Sequence, residues 1–340
     1  MKSQHQTVLA VLQALSSKEY CSGETLAKKI QVSRTTIFNA VQLLKTWGVD
    51  IYAVSGKGYL LAKPYEWLSK EKIITMLPPV VQNWIETIDL FPIIHSTNTH
   101  LLEMSPPQNH NKIHLCLAET QSSGRGRSEK YWLTPFGRSI ACSLMFISSL
   151  EPKDLTALPL VIAITMAQTL KKLSFPTIAI KWPNDLWFQE AKLGGILIET
   201  KPLPLKSTHK KTVVIIGVGI NEQLTQSEHQ LFQYPVTDLQ TIAKLNHNTP
   251  PIISKNALIA KFLEELYHAL HIFERQGFQP FLKLWTQYDA LQDKTICVHI
   301  TNQDFLIGKA QGVTQHGLLK VFSNNVEHWI HHAHVTIETT

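Results

Sequence analysis

Apolar residues near the start of the chain recur at helical spacing. Val8, Leu9, Val11, Leu12 and Leu15 predict a first helix. Ser22 is placed to cap a second helix over Gly23 to Ile30. Ser33 is placed to cap a third over Arg34 to Trp47, with Gly48 just past its end. Gln31 and Val32 alone separate the second helix from the next cap, which is a helix-turn-helix spacing. In the third helix Ile37, Val41 and Leu44 share one face and predict inward packing. Arg34, Thr35, Thr36 and Asn39 are left at its N-terminal half, where a recognition helix meets bases and phosphates. Val49 to Val54 and Tyr59 to Leu61 then read as short strands around Ser55-Gly56-Lys57-Gly58. This predicts a wing, with Lys57 at its tip within reach of a phosphate. Pro64 and the polar residues after it mark a linker.

From Glu66 to Tyr288 the pattern is mixed. Strands are predicted over Ile113 to Ala118, Ser139 to Phe146, Thr177 to Ile180, Gly195 to Glu199 and Val213 to Val218. Helices are predicted over Ser96 to Met104, Leu155 to Leu173 and Ser254 to Arg275. The region is therefore expected to be α+β, a sheet covered by helices. Beyond it, Leu291 to Thr340 alternates short strands with turns at Asn302-Gln303-Asp304 and His316-Gly317. The expected division is 1–65, 66–288 and 289–340.

Composition refines this outline. The chain has 340 residues, of which 44% are hydrophobic, so folded domains rather than disorder are expected. Through Lys63, eight Lys/Arg stand against three acids, whereas the whole chain carries +6, so nearly all the excess charge lies in the first segment. A small basic domain joined to a balanced one suits a nucleic-acid module attached to something else. The start has no small-residue cleavage site, and the longest apolar stretch contains Pro159 and polar residues, so a cytoplasmic protein without a membrane span is expected. Cys21, Cys116, Cys142 and Cys297 are far apart and predict reduced, structural thiols.

Five stretches carry candidate chemistry. His95-Ser96-Thr97-Asn98 sets a hydroxyl cap and an amide at a helix start. Gln121-Ser122-Ser123-Gly124-Arg125-Gly126-Arg127 combines flexible backbone with forked cationic donors, which suits an oxyanion. Trp132 follows and is able to stack on a base or fill the core. Lys181-Trp182-Pro183-Asn184-Asp185 gathers a lysine, an amide and a carboxylate at a strand end. Lys192-Leu193-Gly194-Gly195-Ile196-Leu197-Ile198-Glu199 and Ile216-Gly217-Val218-Gly219-Ile220-Asn221 open or close strands with glycines that admit a close ligand. None of the five supplies a nucleophile, and neither a Walker loop nor a dinucleotide fingerprint is present. The set favours phosphate chemistry run by positioning and charge neutralisation.

In this order the motifs resemble the bifunctional biotin–protein ligases of the BirA type, which also repress biotin synthesis, and the likeness covers nearly the whole chain. The resemblance implies an α+β multidomain architecture. Its parts are a winged helix-turn-helix, a central α/β mixed-sheet ligase domain like that of class II synthetases, and a small C-terminal SH3-like β-barrel. It implies ATP, Mg²⁺ and biotin, with biotinyl-5′-AMP as both intermediate and corepressor. The implied partners are the biotin carboxyl carrier protein of acetyl-CoA carboxylase, operator DNA, and a second copy in a ligand-linked homodimer. Ser96, Thr97, Asn98, Gln121, Arg125, Gly126, Arg127, Lys192, Gly195 and Gly219 are implied to bind biotin. Trp132, Asn184 and Asn221 are implied to meet the nucleotide, and Arg125, Arg127, Lys181, Asp185 and Lys192 to carry catalysis. Ser128-Glu129-Lys130 departs from the family, whose loop often continues with more Gly and Arg; this bears on how the loop couples ligand to dimerisation. His328, His331, His332 and His334 are read as exposed strand histidines, not a metal site. A lipoate–protein ligase and a sensor that has lost catalysis are the alternatives. The Gly124-to-Arg127 loop stands against the first, and the retained cations against the second.

Overall fold

A computed structural model of the chain describes residues 4–62, 64, 66–127, 130–203, 211–246, 254–300 and 304–338. Ser128, Glu129, Asn302 and Gln303, on which a loop departure and a turn were expected, lie outside the described residues. The chain divides into two compact units, Met1–Trp67 with Pro135–Gly137, and Leu68–Thr134 with Arg138–Thr340.

In the first unit, α1 (Gln4–Ala14), α2 (Gly23–Ile30) and α3 (Arg34–Thr46) pack through Val8, Val11, Leu12, Leu26, Ile37, Val41 and Leu44. The caps are as the sequence predicts: Ser22 accepts from the Thr25 N–H at 3.0 Å, and Ser33 from the Thr36 N–H at 3.1 Å. A two-stranded wing follows, β1 (Ile51–Val54) and β2 (Gly58–Leu61), antiparallel with Val54 opposite Gly58.

The second unit begins with α4 (Lys70–Met76), α5 (Pro79–Trp84), β3 (Ile85–Ile94) and α6 (Thr97–Glu103). Next come β4 (Ile113–Gln121), β5 (Ser139–Ser148), α7 (Leu158–Lys172), β6 (Ala179–Lys181), β7 (Asp185–Phe188), β8 (Ala191–Pro202) and β9 (Thr212–Asn221). The strands form a seven-stranded sheet, order β3-β4-β5-β9-β8-β7-β6, parallel only between β3 and β4. Four helices complete this part: α8 (Gln226–His229), α9 (Leu239–Asn246), α10 (Lys255–Gln276) and α11 (Leu282–Tyr288). One sheet face meets α7 and α10 through Leu144, Val214, Ile216, Val218 and Ile220. The other face meets α6 through Cys116, Met145, Ile215 and Leu101. Coverage on both faces explains why β5 is buried along its whole length and reads as a continuous apolar run. The helix expected from Leu155 starts at Leu158, because Pro152–Leu155 forms a 3₁₀ turn first.

The C-terminal strands β10 (Thr295–His299), β11 (Phe305–Val313), β12 (Leu319–Ser323), β13 (Val326–Ile330) and β14 (His334–Ile337) make one antiparallel sheet, order β13-β12-β11-β10-β14, with β13 and β14 at its edges. It shares a core with the larger sheet's helices through Ile296, Val298, Leu319 and Val321. Polar ties fix its position. Trp182 Nε1 donates to the Gly317 carbonyl at 3.0 Å, and the Ala290 N–H to the Ile180 carbonyl at 2.9 Å. Among the described residues no helix is long and apolar enough to cross a membrane.

Candidate active site

Side-chain size opens a cavity of about 760 Å³ on the α6 side of the sheet. In the register of β5, β9 and β8, Ser143 and Leu197 flank Gly217, while Ala141 and Gly195 flank Gly219. The two-residue period puts all six on one face, so the floor carries little bulk. A Cβ at Gly217 would collide with the Asn98 carboxamide. One at Gly219 would come within 2.5 Å of the Trp132 ring. Both glycines are therefore required by close approach.

The walls are held by one continuous polar network. Gln121 Oε1, at the end of β4, accepts from the Thr97 N–H at 2.8 Å and the Thr97 hydroxyl at 3.0 Å. Ser143 Oγ lies 2.7 Å from Thr97 Oγ1 and 2.6 Å from Asn98 Oδ1. Asn98 Nδ2 donates to Glu199 Oε2 at 2.8 Å, and Arg125 Nη2 reaches the same carboxylate at 2.9 and 3.0 Å. Ser96 accepts from the Thr99 N–H, a helix cap as its sequence suggests. Sequence reasoning did not single out Ser143, and it included Glu199 in the Lys192-to-Glu199 stretch without giving it a role. The available signal was a polar residue inside each of two apolar strand runs, where burial demands a partner.

Above the floor the Gly124–Arg127 segment folds back on itself. The Trp132 N–H donates to the Gly124 carbonyl at 2.8 Å, and the Gly126 N–H to that of Lys130 at 2.7 Å. Arg127 Nη1 donates to Asn184 Oδ1 at 3.2 Å, while Asn184 Nδ2 donates to the Ile196 carbonyl at 2.7 Å. Lys192 Nζ pairs with Asp185 Oδ1 at 2.8 Å and lies 5.6 Å from the Trp132 ring centre. Lys181 Nζ sits 4.4 Å from the Trp187 ring centre. Burial depresses the Lys181 ammonium; Lys192 and Lys130 push the same way and Asp185 opposes them. Burial likewise lowers Arg127, against Asp185.

Among the described lining residues, Arg125, Arg127, Lys130, Lys181 and Lys192 outnumber the acids Asp185 and Glu190. The cavity therefore suits a polyanion. Two buried donors at its wall, Arg125 Nε and Trp132 Nε1, have no acceptor among the described residues. Ser96, Thr97, Asn98, Gln121, Gly126, Asn184, Gly195 and Gly219 also line it, so nearly all the expected residues converge. Asn221 does not line it. Its side chain is buried and donates to the Thr237 carbonyl at 3.0 Å, pinning the segment that Lys192 bridges at Val236. Nor are all four late histidines bland. His332 and His334 line the cavity, and His332 Nδ1 lies 2.7 Å from Arg127 Nη2.

In the first unit Arg34, Thr35, Asn39 and Lys57 are exposed. Thr36 is half-buried, its hydroxyl 2.8 Å from that of its cap Ser33.

A mixed sheet with a glycine-floored, cation-lined cavity, preceded by a helix-turn-helix, fits a carboxylate-activating protein ligase with a DNA-binding unit. Residues 90–221 match the biotin/lipoate A/B protein ligase family, and residues 7–60 match a helix-turn-helix (HTH) domain. The chain is 32% identical over 311 residues to the bifunctional ligase/repressor BirA of Escherichia coli, covering 92% of this chain and 91% of that protein. It is 25% identical over 325 residues to the Bacillus subtilis protein of the same name, covering 95% and 96%. The biotin protein ligase of Aquifex aeolicus, solved with biotin and ATP, shares the fold with TM-score 0.59 at 21% identity, over 75% of this chain and 100% of that one. The chain belongs to the bifunctional biotin ligase/repressor family.

Proposed function

We propose that the chain activates biotin with ATP in this cavity, transfers it to a lysine of a biotin carboxyl carrier protein, and represses biotin-synthesis genes when the adenylate is bound. The convergence of cations over a glycine floor is the observation that carries this reading. Biotin lies on Gly195, Gly217 and Gly219, its polar end met by the Ser96-to-Asn98 turn and Gln121. Its carboxylate oxygen attacks the α-phosphorus of ATP, and the bond to pyrophosphate breaks. Both reactants are anions, so Arg125, Arg127, Lys181 and Lys192 lower the barrier by offsetting charge. Magnesium held by the triphosphate would offset part of its charge beside Arg127, Lys181 and Lys192. Trp132 and Asn184 border the nucleotide, and Asn221 acts from behind the wall by fixing the Lys192 segment.

In the second step the acceptor amine attacks the acyl carbon, AMP leaves, and the amine loses a proton. Asp185 is placed to orient that amine once Lys192 turns to the phosphate. The enzyme needs no nucleophile of its own because the substrates supply both. Arg34, Thr35, Thr36, Asn39 and Lys57 contact operator DNA, and a ligand-linked homodimer presents two such sets. The domain division is 1–65, 66–288 and 289–340, the last a small SH3-like domain, in a cytoplasmic protein.

The test is incubation with ATP, Mg²⁺, a carrier domain, and either biotin or lipoate, followed by mass spectrometry of the carrier. A biotin adduct and no lipoate adduct are expected. Absence of the biotin adduct overturns the ligase reading. Operator binding is tested with and without residues 1–64; binding that survives their removal overturns the DNA assignment.

A further inference from the structure

Arg127 is held from two sides. Asn184 accepts from Nη1 at 3.2 Å, and His332 Nδ1 lies 2.7 Å from Nη2. The second contact joins the ligase loop to the bend before β14 of the C-terminal sheet. A guanidinium nitrogen can only donate, so His332 Nδ1 must offer a lone pair. The ring is then neutral, with its proton on Nε2. Protonation would set two donors and two positive charges face to face. We propose that His332 is a positioning residue for Arg127, clasping the guanidinium while neutral and releasing it when protonated. Retention of the adenylate then weakens as pH falls through the histidine range. The consequence for the adenylate rests on the contact assigned above to Arg127.

The surroundings favour the neutral ring. The Arg127 charge, and then burial, hold His332 below the usual histidine range. Among the described residues, the other charged side chains and histidines lining the cavity here are Arg125 and Lys130 on the loop, Lys181 and Asp185 at the β6–β7 turn, Glu190 and Lys192 just beyond β7, and His299 and His334 on β10 and β14. Both acids among them are already paired, Asp185 with Lys192 at 2.8 Å and Glu190 with Lys294 at 3.0 Å. No free carboxylate in this group is left to support an imidazolium. The sign follows. The clasped state disfavours the bound proton, so it is fully populated above the ordinary histidine pKa and gives way below it.

The bond runs to Nδ1, which fixes the test. Asparagine carries its carboxamide oxygen near the position of Nδ1, the shorter of the two ring contacts (Nε2 lies at 3.4 Å), and does not titrate. Release of preformed biotinyl-adenylate from the full chain is timed from about pH 5.5 to about pH 8. In the unsubstituted protein release is expected to be roughly tenfold faster at the acid end, the lower end of the scale for one hydrogen bond from a charged donor, as suits an exposed pair. His332→Ala should release fast at every pH, and His332→Asn slowly at every pH. A pH dependence that survives in His332→Asn overturns the proposal.

A second measurement needs no adenylate. NMR titration of the His332 ring should show its midpoint rising in Arg127→Gln. An unmoved midpoint overturns the clasp. A moved midpoint with unchanged release overturns the consequence for the adenylate, and with it the contact assigned to Arg127.

Discussion

Glu199 joins the arginine loop to the start of α6, and its replacement by Gln tests the site network directly. Oε2 accepts from Asn98 Nδ2 at 2.8 Å and from Arg125 Nη2 at 2.9 Å, while Oε1 lies 3.0 Å from the same Nη2. A Gln oxygen in the Oε2 position keeps the Asn98 bond, but the substitution removes the negative charge opposite Arg125 and sets an NH₂ group in the Oε1 position, donor against donor with Nη2. The loss is a charge-assisted contact worth ~1.5–3 kcal/mol. The side chains of Arg125 and Glu199 are 37% and 23% exposed, and screening moves the expected effect to the lower end. That is ~1.5 kcal/mol, about tenfold weaker biotin binding. Glu199→Ala also abandons Asn98 Nδ2, adding ~1 kcal/mol. Calorimetric biotin binding and ATP–pyrophosphate exchange read the effect, with circular dichroism to confirm the fold. A double-mutant cycle with Arg125→Met should give a coupling of ~1 kcal/mol. Unchanged binding in Glu199→Gln, or a coupling indistinguishable from zero, refutes the network.

Other outcomes are equally checkable. Lys255 Nζ and Glu119 Oε2 form a fully buried pair at 2.8 Å. Lys255→Met should cost ~3 kcal/mol in urea unfolding, and adding Glu119→Gln should restore most of it. Because Lys181 is depressed, its charge is lost at lower pH than that of an exposed lysine, so Lys181→Arg should move the alkaline limb of adenylate formation upward; an unmoved limb would count against a role for that charge. Burial pushes the Cys142 thiol up to about 12 and raises Cys116 as well. Iodoacetamide should therefore spare both in the native protein and label the half-buried Cys21, as peptide mapping would show. Replacing Arg34 and Lys57 together by Ala should flatten the log–log salt dependence of operator binding by about two if each meets one phosphate.

Local chemistry settled what the sequence could show alone. The helix caps at Ser22 and Ser33, the wing, and the long helices Leu158–Lys172 and Lys255–Gln276 follow from short-range hydrogen bonding and periodic burial. The ordered motifs likewise pointed to the family, because glycine and arginine at those spacings serve one kind of ligand. What the sequence left open depends on contacts far apart in the chain. β7 was hidden because it pairs at both sides within a tight meander rather than through its own pattern. Ser143 and Glu199 belong to the site only because β5, β9 and β8 are in register. Asn221 sits in a motif yet turns away from the cavity to hold Thr237. His332 is exposed, as its sequence suggests, but only the C-terminal sheet brings it to Arg127, 205 positions earlier in the chain. Hydrophobic period and capping act over a few residues and are written in the sequence. The partner of a buried polar group is set by strand register and domain packing, and only the folded chain decides it.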